Sequence, residues 1–387
     1  MAKTKEIYLD NAATTRVDEK VVKAMLPFFN NNYGNASSSH EFGKRAKESI
    51  EKAREVIAKS INAEKDEIYF TSGGTESNNW ALKELFFANV GKGKNHIITT
   101  KIEHPSILEV CKMLEKLGAR ITYLNVDNEG FINIEELRNS ITNETLLVSI
   151  IHGNNEIGTF QNIKAIGEIC RNKGIYFHID ACQSFTRTNL EVKKNKIDLM
   201  TLNSHKIYGP KGVGALFIGK NVNIVPFMEG GGHEKGMRSG TENVPGIVGF
   251  GEAVRISNKK DIENIKKLRD YAVKEILKIK DTKLNGPTLE DNERLCNNIN
   301  VSFSNIEGEA ISQHLEGFGI FVSTGSACAS HSLKKSHVLK AIGLNDMEIN
   351  SSIRITLSKY TTKKEVDYFI DKLKIIVKKL RKMSPFA

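Results

Sequence analysis

The stretch STGSACASHS, 323–332, sets Cys328 among serines, a threonine and a glycine. No hydrophobic face can form there, so an exposed, mobile loop is expected. A free thiol on such a loop is open to oxidation, which makes a use for its nucleophilicity worth seeking. A second chemistry-bearing run is NSHKIYGPKGVG, 203–214, where His205 and Lys206 follow a strand end. A lysine becomes a Schiff-base nucleophile when desolvation or a nearby cation lowers its pKa. Lys206 suits that role better than Lys211, which sits inside the Gly-Pro-Lys-Gly turn.

Two further runs belong with these. HIDACQS, 178–184, ends an apolar strand on Asp180. The carboxyl ends of parallel strands line the ligand crevice of an open sheet. A carboxylate there either holds a cationic ring nitrogen or caps the next segment. TSGGTESNN, 71–79, lies between a strand and a helix. Its glycines admit a ligand close to the backbone, the helix N-terminus offers N–H groups to an anion, and Thr75 adds a hydroxyl. It is either a phosphate cradle or an ordinary strand-to-helix turn. It matches neither the Walker nor the dinucleotide pattern. Cradle, strand-end carboxylate and strand-end lysine together meet the needs of pyridoxal phosphate, which are a phosphate site, an acid for the ring nitrogen and an aldimine lysine.

The elements that must position these residues alternate. Apolar stripes predict helices over 42–57, 76–87, 105–117 and 163–173. Strands are expected at 67–70, 96–100, 121–126, 146–151, 175–180, 198–204 and 212–218. Strands separated by helices imply βαβ units and a parallel sheet. A polar helix near 259–280 leads to a second pattern: strands 298–303, 320–323 and 352–358, and helices 307–317 and 363–381. With 387 residues, two domains are expected.

Composition narrows the function classes. Hydrophobic residues make up 40% and charged residues 26%, as in a soluble globular protein. No apolar run is long enough to span a bilayer. The N-terminus lacks a signal-peptide core, so a cytoplasmic protein is expected. The net charge of +10 comes without a basic patch interleaved with aromatics, so no nucleic-acid partner is expected. Five cysteines form no C-x-x-C pair, which argues against a zinc site or a disulfide framework. Cys111, Cys170, Cys182 and Cys296 have apolar or helical neighbours and are expected to be packing thiols away from the crevice. No resident metal is expected.

The motifs YLDNAATT (8–15), TSGGTESNN, HGNNEIG (152–158), HIDACQS, SHKIYGPKG, RSGTENVPG (238–246) and STGSACAS occur in one order along nearly the whole chain. In this the chain resembles the cysteine desulfurases of the NifS and IscS type, within the class-V aminotransferases. The resemblance implies an α/β fold of the aspartate-aminotransferase type (fold type I). It has a large domain with a mostly parallel sheet, 16–258. A smaller α+β domain is formed by 1–15 and 259–387 and carries the mobile Cys328 loop. It implies pyridoxal 5'-phosphate as cofactor and a homodimer with composite sites. Lys206 matches the Schiff-base lysine, Asp180 the partner of the ring nitrogen and Gln183 that of the ring hydroxyl. His104 matches the ring-stacking histidine, a candidate acid or base. Gly74, Thr75, Ser204 and His205 match phosphate contacts, as does Thr241 from the other subunit. Asn203 stands where Ser is usual. Asn155 matches a contact to cofactor and substrate, Arg354 the clamp on the substrate carboxylate and Cys328 the sulfur-accepting nucleophile. Lys334 and Lys335 replace a usual Glu-Pro pair.

The activity implied is conversion of L-cysteine to L-alanine and a Cys328 persulfide. The persulfide would supply an acceptor protein such as an iron–sulfur scaffold, for cluster assembly or another thiolation. The rival readings are another pyridoxal phosphate enzyme, such as a selenocysteine or cystine lyase or an aminotransferase, and a non-catalytic sulfur-carrying scaffold. The first would not need Cys328, and the second would not need Lys206.

Overall fold

The computed structural model describes residues 6–290, 293–324 and 335–383. Its centre is a seven-stranded sheet in the order Ile68–Thr71, Gly214–Ile218, Leu199–Asn203, Tyr176–Asp180, Thr145–Ile151, His96–Thr100, Arg120–Leu124. The five strands from Leu199–Asn203 to Arg120–Leu124 run parallel. Most are buried along their whole length, as strands covered by helices on both faces must be. Gly214–Ile218 departs from the expected βαβ pattern, because it runs antiparallel to both of its neighbours. The linking stretch 204–213 holds no helix and is too short for the crossover that a parallel pair requires.

Caps and stripes explain the helices. Helix Ile163–Lys173 starts where the Asn162 side chain accepts from Ala165 N and ends on Gly174 at φ 63°. On one side of the sheet, apolar residues from Val21 to Val254 form the main core. On the other, Trp80, Leu82, Phe86, Ile107 and Leu114 pack against Leu147, Leu199 and Leu216.

A second core unites Ile7 and Leu9 with residues from Ile265 to Val377. It lies against an antiparallel sheet in the order Ser323–Thr324, Ser352–Thr356, Asn298–Phe303, Thr282–Leu284. The single strand expected at 320–323 is two short ones. Ile320–Phe321 pairs in parallel with Ile7–Tyr8, and Ser323–Thr324 pairs with Ser352–Thr356. Helix Lys363–Met383 buries Val366, Phe369, Ile370, Leu373, Ile376 and Val377 on one stripe. Its Lys374, Lys378 and Lys379 are exposed, so this charge run is a solvated face.

Five strands of the large sheet end at one edge, and each delivers a loop there. Thr71 precedes Gly74, Thr100 precedes His104, Ile151 precedes Asn155, Asp180 ends its own strand, and Asn203 precedes His205 and Lys206.

Candidate active site

These loops enclose one recess. It is lined by Gly74, Thr75, His104, Asn155, Asp180, Gln183, Asn203, His205, Lys206 and Arg354, with Asn78, Ser106, Cys182 and the Ala12–Ala13 backbone among the remaining walls.

Asp180 lies at its floor, buried. Its Oδ2 accepts from Asn78 Nδ2 at 2.8 Å and its Oδ1 from the Cys182 N–H at 2.9 Å. Burial works against its charge. The His104 ring, the Asn78 amide and the Cys182 N–H outweigh that effect and hold the carboxyl below its ordinary range. Asp180 is therefore an anion at neutral pH, ready for a cationic partner.

His104 caps helix Pro105–Lys116. Its Nδ1 accepts from the Ser106 N–H at 3.2 Å and meets Ser106 Oγ at 2.8 Å. A backbone N–H can only donate, so Nδ1 is the acceptor and the neutral ring carries its proton on Nε2. Burial, reinforced by Lys206, pushes His104 down to about 4. His205 is likewise pushed down to about 4, by burial and then by Lys206 and Lys211. Its Nδ1 lies 3.1 Å from Thr14 Oγ1 and its Nε2 3.4 Å from Asn203 Nδ2.

Lys206 is held through its backbone. Its carbonyl accepts from Arg187 Nη2 at 2.8 Å, while Arg187 Nη1 donates to the Gln183 carbonyl at 2.6 Å. Gln183 Nε2 donates to the Ala12 carbonyl at 2.9 Å. The Thr15 hydroxyl and N–H both reach the His205 carbonyl at 2.9 Å, so the N-terminal stretch locks the lysine loop.

Arg354 is buried; its Nη2 pairs with Asp10 Oδ1 at 2.8 Å and its Nη1 donates to the Asn155 carbonyl at 3.3 Å. Its Nε, Asn78 Oδ1 and Asn203 Oδ1 are buried polar atoms without a partner among the described residues. Buried polar groups left unmatched are costly, and these three belong to residues that line the recess. At the other end of the recess, no side chain caps helix Gly74–Asn89, and Gly73 stands at φ 155°. The free helix N-terminus with Thr75 and His205 beside it suits a phosphate. A Cβ on Gly74 would come within 2.5 Å of Cys182 Sγ, so a larger residue there must displace that thiol. The residues present thus fit pyridoxal phosphate at each of its charged ends.

Not every expected residue is in place. Ser204 does not line the recess. It is fully buried, and its Oγ faces Gly209, where a Cβ would stand 2.0 Å away. Its neighbour Asn203 takes the wall instead, because adjacent residues at a strand end face opposite ways. Cys182 was expected to be packing away from the crevice, yet it forms part of the wall. Burial and the adjacent Asp180 charge push its thiol well up, so it is a poor nucleophile. Cys111, Cys170 and Cys296 are buried elsewhere. Thr241 is exposed, outside the recess, on a loop that Arg238 ties to Glu76 at 2.8 Å. Cys328 and its expected loop lie outside the described residues. No cluster suited to a metal ion and no helix long and apolar enough to cross a membrane occurs among the described residues.

Sequence reasoning missed Asp10, Asn78, Ser106 and Arg187, each of which holds another site residue. Asn78 was within reach, since it lies four residues after Gly74 and so on the same helix face.

Comparison with known proteins agrees with this geometry. The aminotransferase class-V family matches residues 7–369. The cysteine desulfurase IscS of Dictyoglomus turgidum is 50% identical over 386 residues, covering 99% of this chain and 97% of that protein. A solved structure described as a NifS-like protein shares 39% identity at a TM-score of 0.91, covering 97% of this chain and 100% of that one. A structure of SspA in complex with cysteine shares 36% identity at a TM-score of 0.82, covering 92% and 100%.

Proposed function

Because the chain belongs to the class-V aminotransferase family, and within it to the cysteine desulfurases, we propose that it moves the sulfur of L-cysteine onto Cys328 and releases L-alanine. The persulfide then passes to an acceptor protein, with iron–sulfur cluster assembly as its destination. The observation that carries this reading is the convergence of Asp180, His104, Lys206 and Arg354 on one recess.

Pyridoxal phosphate, when bound, supplies an electron sink for charge developing at the substrate α-carbon. Gly74, Thr75 and His205 would hold its phosphate, Asp180 its ring nitrogen and Gln183 its hydroxyl. Arg354 receives the substrate carboxylate as a planar two-pronged donor, exchanging its contact with Asp10. Asn155, whose carbonyl is fixed by Arg354 and by Asn298 Nδ2 at 3.3 Å, borders the same place. The Lys206 amine takes the α-proton and later returns one to the α-carbon of the product. His104, neutral with its proton on Nε2, offers a hydrogen-bond donor within the recess. The Cys328 thiolate attacks the substrate sulfur. The carbon–sulfur bond breaks with its electron pair remaining on carbon, and that carbon takes up a proton to leave as alanine.

The reading includes two domains, 16–258 and 1–15 with 259–387. It also includes a cytoplasmic setting that keeps thiols reduced, and a homodimer in which Thr241 serves the other protomer's phosphate site. The test is stoichiometry. With L-cysteine and a reductant, the holoenzyme should release sulfide and alanine in equal amounts. Pyruvate or a new amino acid in place of alanine would overturn the reading in favour of a lyase or an aminotransferase.

A further inference from the structure

Helix Gly74–Asn89 opens at the phosphate end of the recess with a carboxylate in its own first turn, Glu76. The Glu76 Oε2 accepts from the Ser72 N–H at 3.0 Å. Burial works against its charge, but Arg238 and Ser72 outweigh that effect and hold the carboxyl below its ordinary range. Glu76 is therefore an anion at neutral pH, and the positive end of a helix favours it there. The same helix end is the one that would receive the cofactor's phosphate, which carries close to two negative charges at neutral pH. Two anions at one helix terminus repel each other.

A cation stands beside Glu76. Arg238 Nε donates to Glu76 Oε1 at 2.8 Å and Nη2 to Oε2 at 3.1 Å, the two-pronged geometry that suits a guanidinium and a carboxylate. Neither side chain lines the recess. The loop that carries Arg238 is held by other bonds. The Phe227 N–H donates to the Met237 carbonyl at 2.9 Å and the Ser239 N–H to the Met228 carbonyl at 3.0 Å. On the same loop the buried Glu234 carboxylate accepts from Arg54 Nη1 and Nη2 at 2.7 and 2.8 Å and from the Phe70 N–H at 2.8 Å. These bonds keep Glu234 at φ 49° and Lys235 at φ 59°, a backbone that residues with a side chain seldom adopt. With the loop secured in this way, what Arg238 adds is a positive charge at Glu76.

We propose that Arg238 is a positioning residue that sets the strength of phosphate binding through Glu76: it neutralises the carboxylate and leaves the helix terminus free for the cofactor's phosphate. The inference rests on the function proposed above, which places pyridoxal phosphate in this recess.

The test titrates the apoenzymes of wild type, Arg238→Met, Glu76→Gln and the double variant with pyridoxal phosphate and, separately, with pyridoxal, which lacks the phosphate. The readout is the Schiff-base absorbance. Arg238→Met should weaken pyridoxal phosphate about ten-fold, the scale of one charge at a partly buried helix terminus. Glu76→Gln should bind it at least as tightly as wild type, because the arginine charge is left unopposed. The double variant, with both charges gone, should return to within about three-fold of wild type. Pyridoxal affinity should stay within about two-fold throughout, since it brings no phosphate charge to repel. Glu76→Gln keeps the shape of the side chain, so the sign of its effect is decisive even if Arg238→Met is unstable. Weaker pyridoxal phosphate binding in Glu76→Gln would overturn the proposal, because a pair that only anchors the loop loses affinity whichever partner is changed. Unchanged affinity in Arg238→Met, or equal losses for pyridoxal phosphate and pyridoxal, would overturn it too, while leaving the function standing. A wild type that forms no Schiff-base absorbance with either aldehyde would overturn the reading of the recess itself, and this inference with it.

Discussion

Replacing Gly74 with alanine tests the wall of the recess. The added Cβ would lie 2.5 Å from Cys182 Sγ, with Asn203 Nδ2 and Thr201 Cγ2 each 3.7 Å away. Ordinary contact is about 3.5–4.0 Å, so the first distance must open by about 1 Å and the other two need not change. Overpacking of this kind costs about 1–3 kcal/mol. Gly74 is the first residue of its helix, where the interior preference for alanine over glycine does not apply, so the penalty stays at about 1–3 kcal/mol. If the strain falls on the phosphate end, pyridoxal phosphate should bind roughly five- to 150-fold more weakly. Cys182→Ala removes the colliding atom, so Gly74→Ala with Cys182→Ala should bind nearly as well as wild type. Equilibrium titration of the apoenzyme with cofactor, beside thermal unfolding, measures both effects. Undiminished affinity in Gly74→Ala, or no recovery in the double variant, would refute the placement of Cys182 against the cradle.

Other outcomes follow from the same geometry. Lys206→Ala should lose alanine formation and the Schiff-base absorbance while keeping its thermal unfolding temperature; retained turnover would transfer the role to another lysine such as Lys211. Mixing Lys206→Ala with Thr241→Ala subunits should recover activity, because one hybrid site holds neither lesion; no recovery despite proven subunit exchange would count against a shared site. His96, His104, His178 and His205 are pushed down to about 4 and His152 to about 3, burial leading in each case. The unfolded chain binds more protons than the folded one between these values and about 6.5, so stability should fall as pH drops through that window. The buried Glu103, raised to about 8, and Glu156 act with the opposite sign, but the five histidines outnumber them. An unfolding temperature that stays flat from pH 6.5 to 5 would contradict the buried neutral histidines.

Much of this architecture is legible in the sequence, because local patterns decide it. The strand at 96–100 and the helix at 163–173 match their expected spans, each having an uninterrupted period and a clear stop such as Gly174. The split of 320–323 could not be read, since Ile320 and Ser323 answer to partners far away in sequence, Ile7 and Arg354. The antiparallel turn of Gly214–Ile218 left a signal, the absence of a helix in 204–213. Within the site, the motif residues that meet a ligand were found. Asp10 and Asn78, although inside YLDNAATT and TSGGTESNN, were not, nor were Ser106 and Arg187, because their work includes holding other side chains and no spacing marks it. Ser204 and Cys182 show the limit of motif reading. A motif gives the neighbourhood, and only the backbone decides which neighbour faces the ligand.

The central claim is that the thiol of Cys328 takes the sulfur. Its most direct measurement is intact-protein and peptide mass spectrometry after a brief pulse of L-cysteine without reductant, with alanine assayed in the same sample. One labile sulfur is expected on Cys328 of the wild type, and neither a sulfur adduct nor alanine turnover in Cys328→Ala, although that variant still binds cofactor and substrate. It would be contradicted by a Cys328→Ala enzyme that carries the sulfur elsewhere, with the recess thiol Cys182 the first place to look, and still makes alanine at a comparable rate.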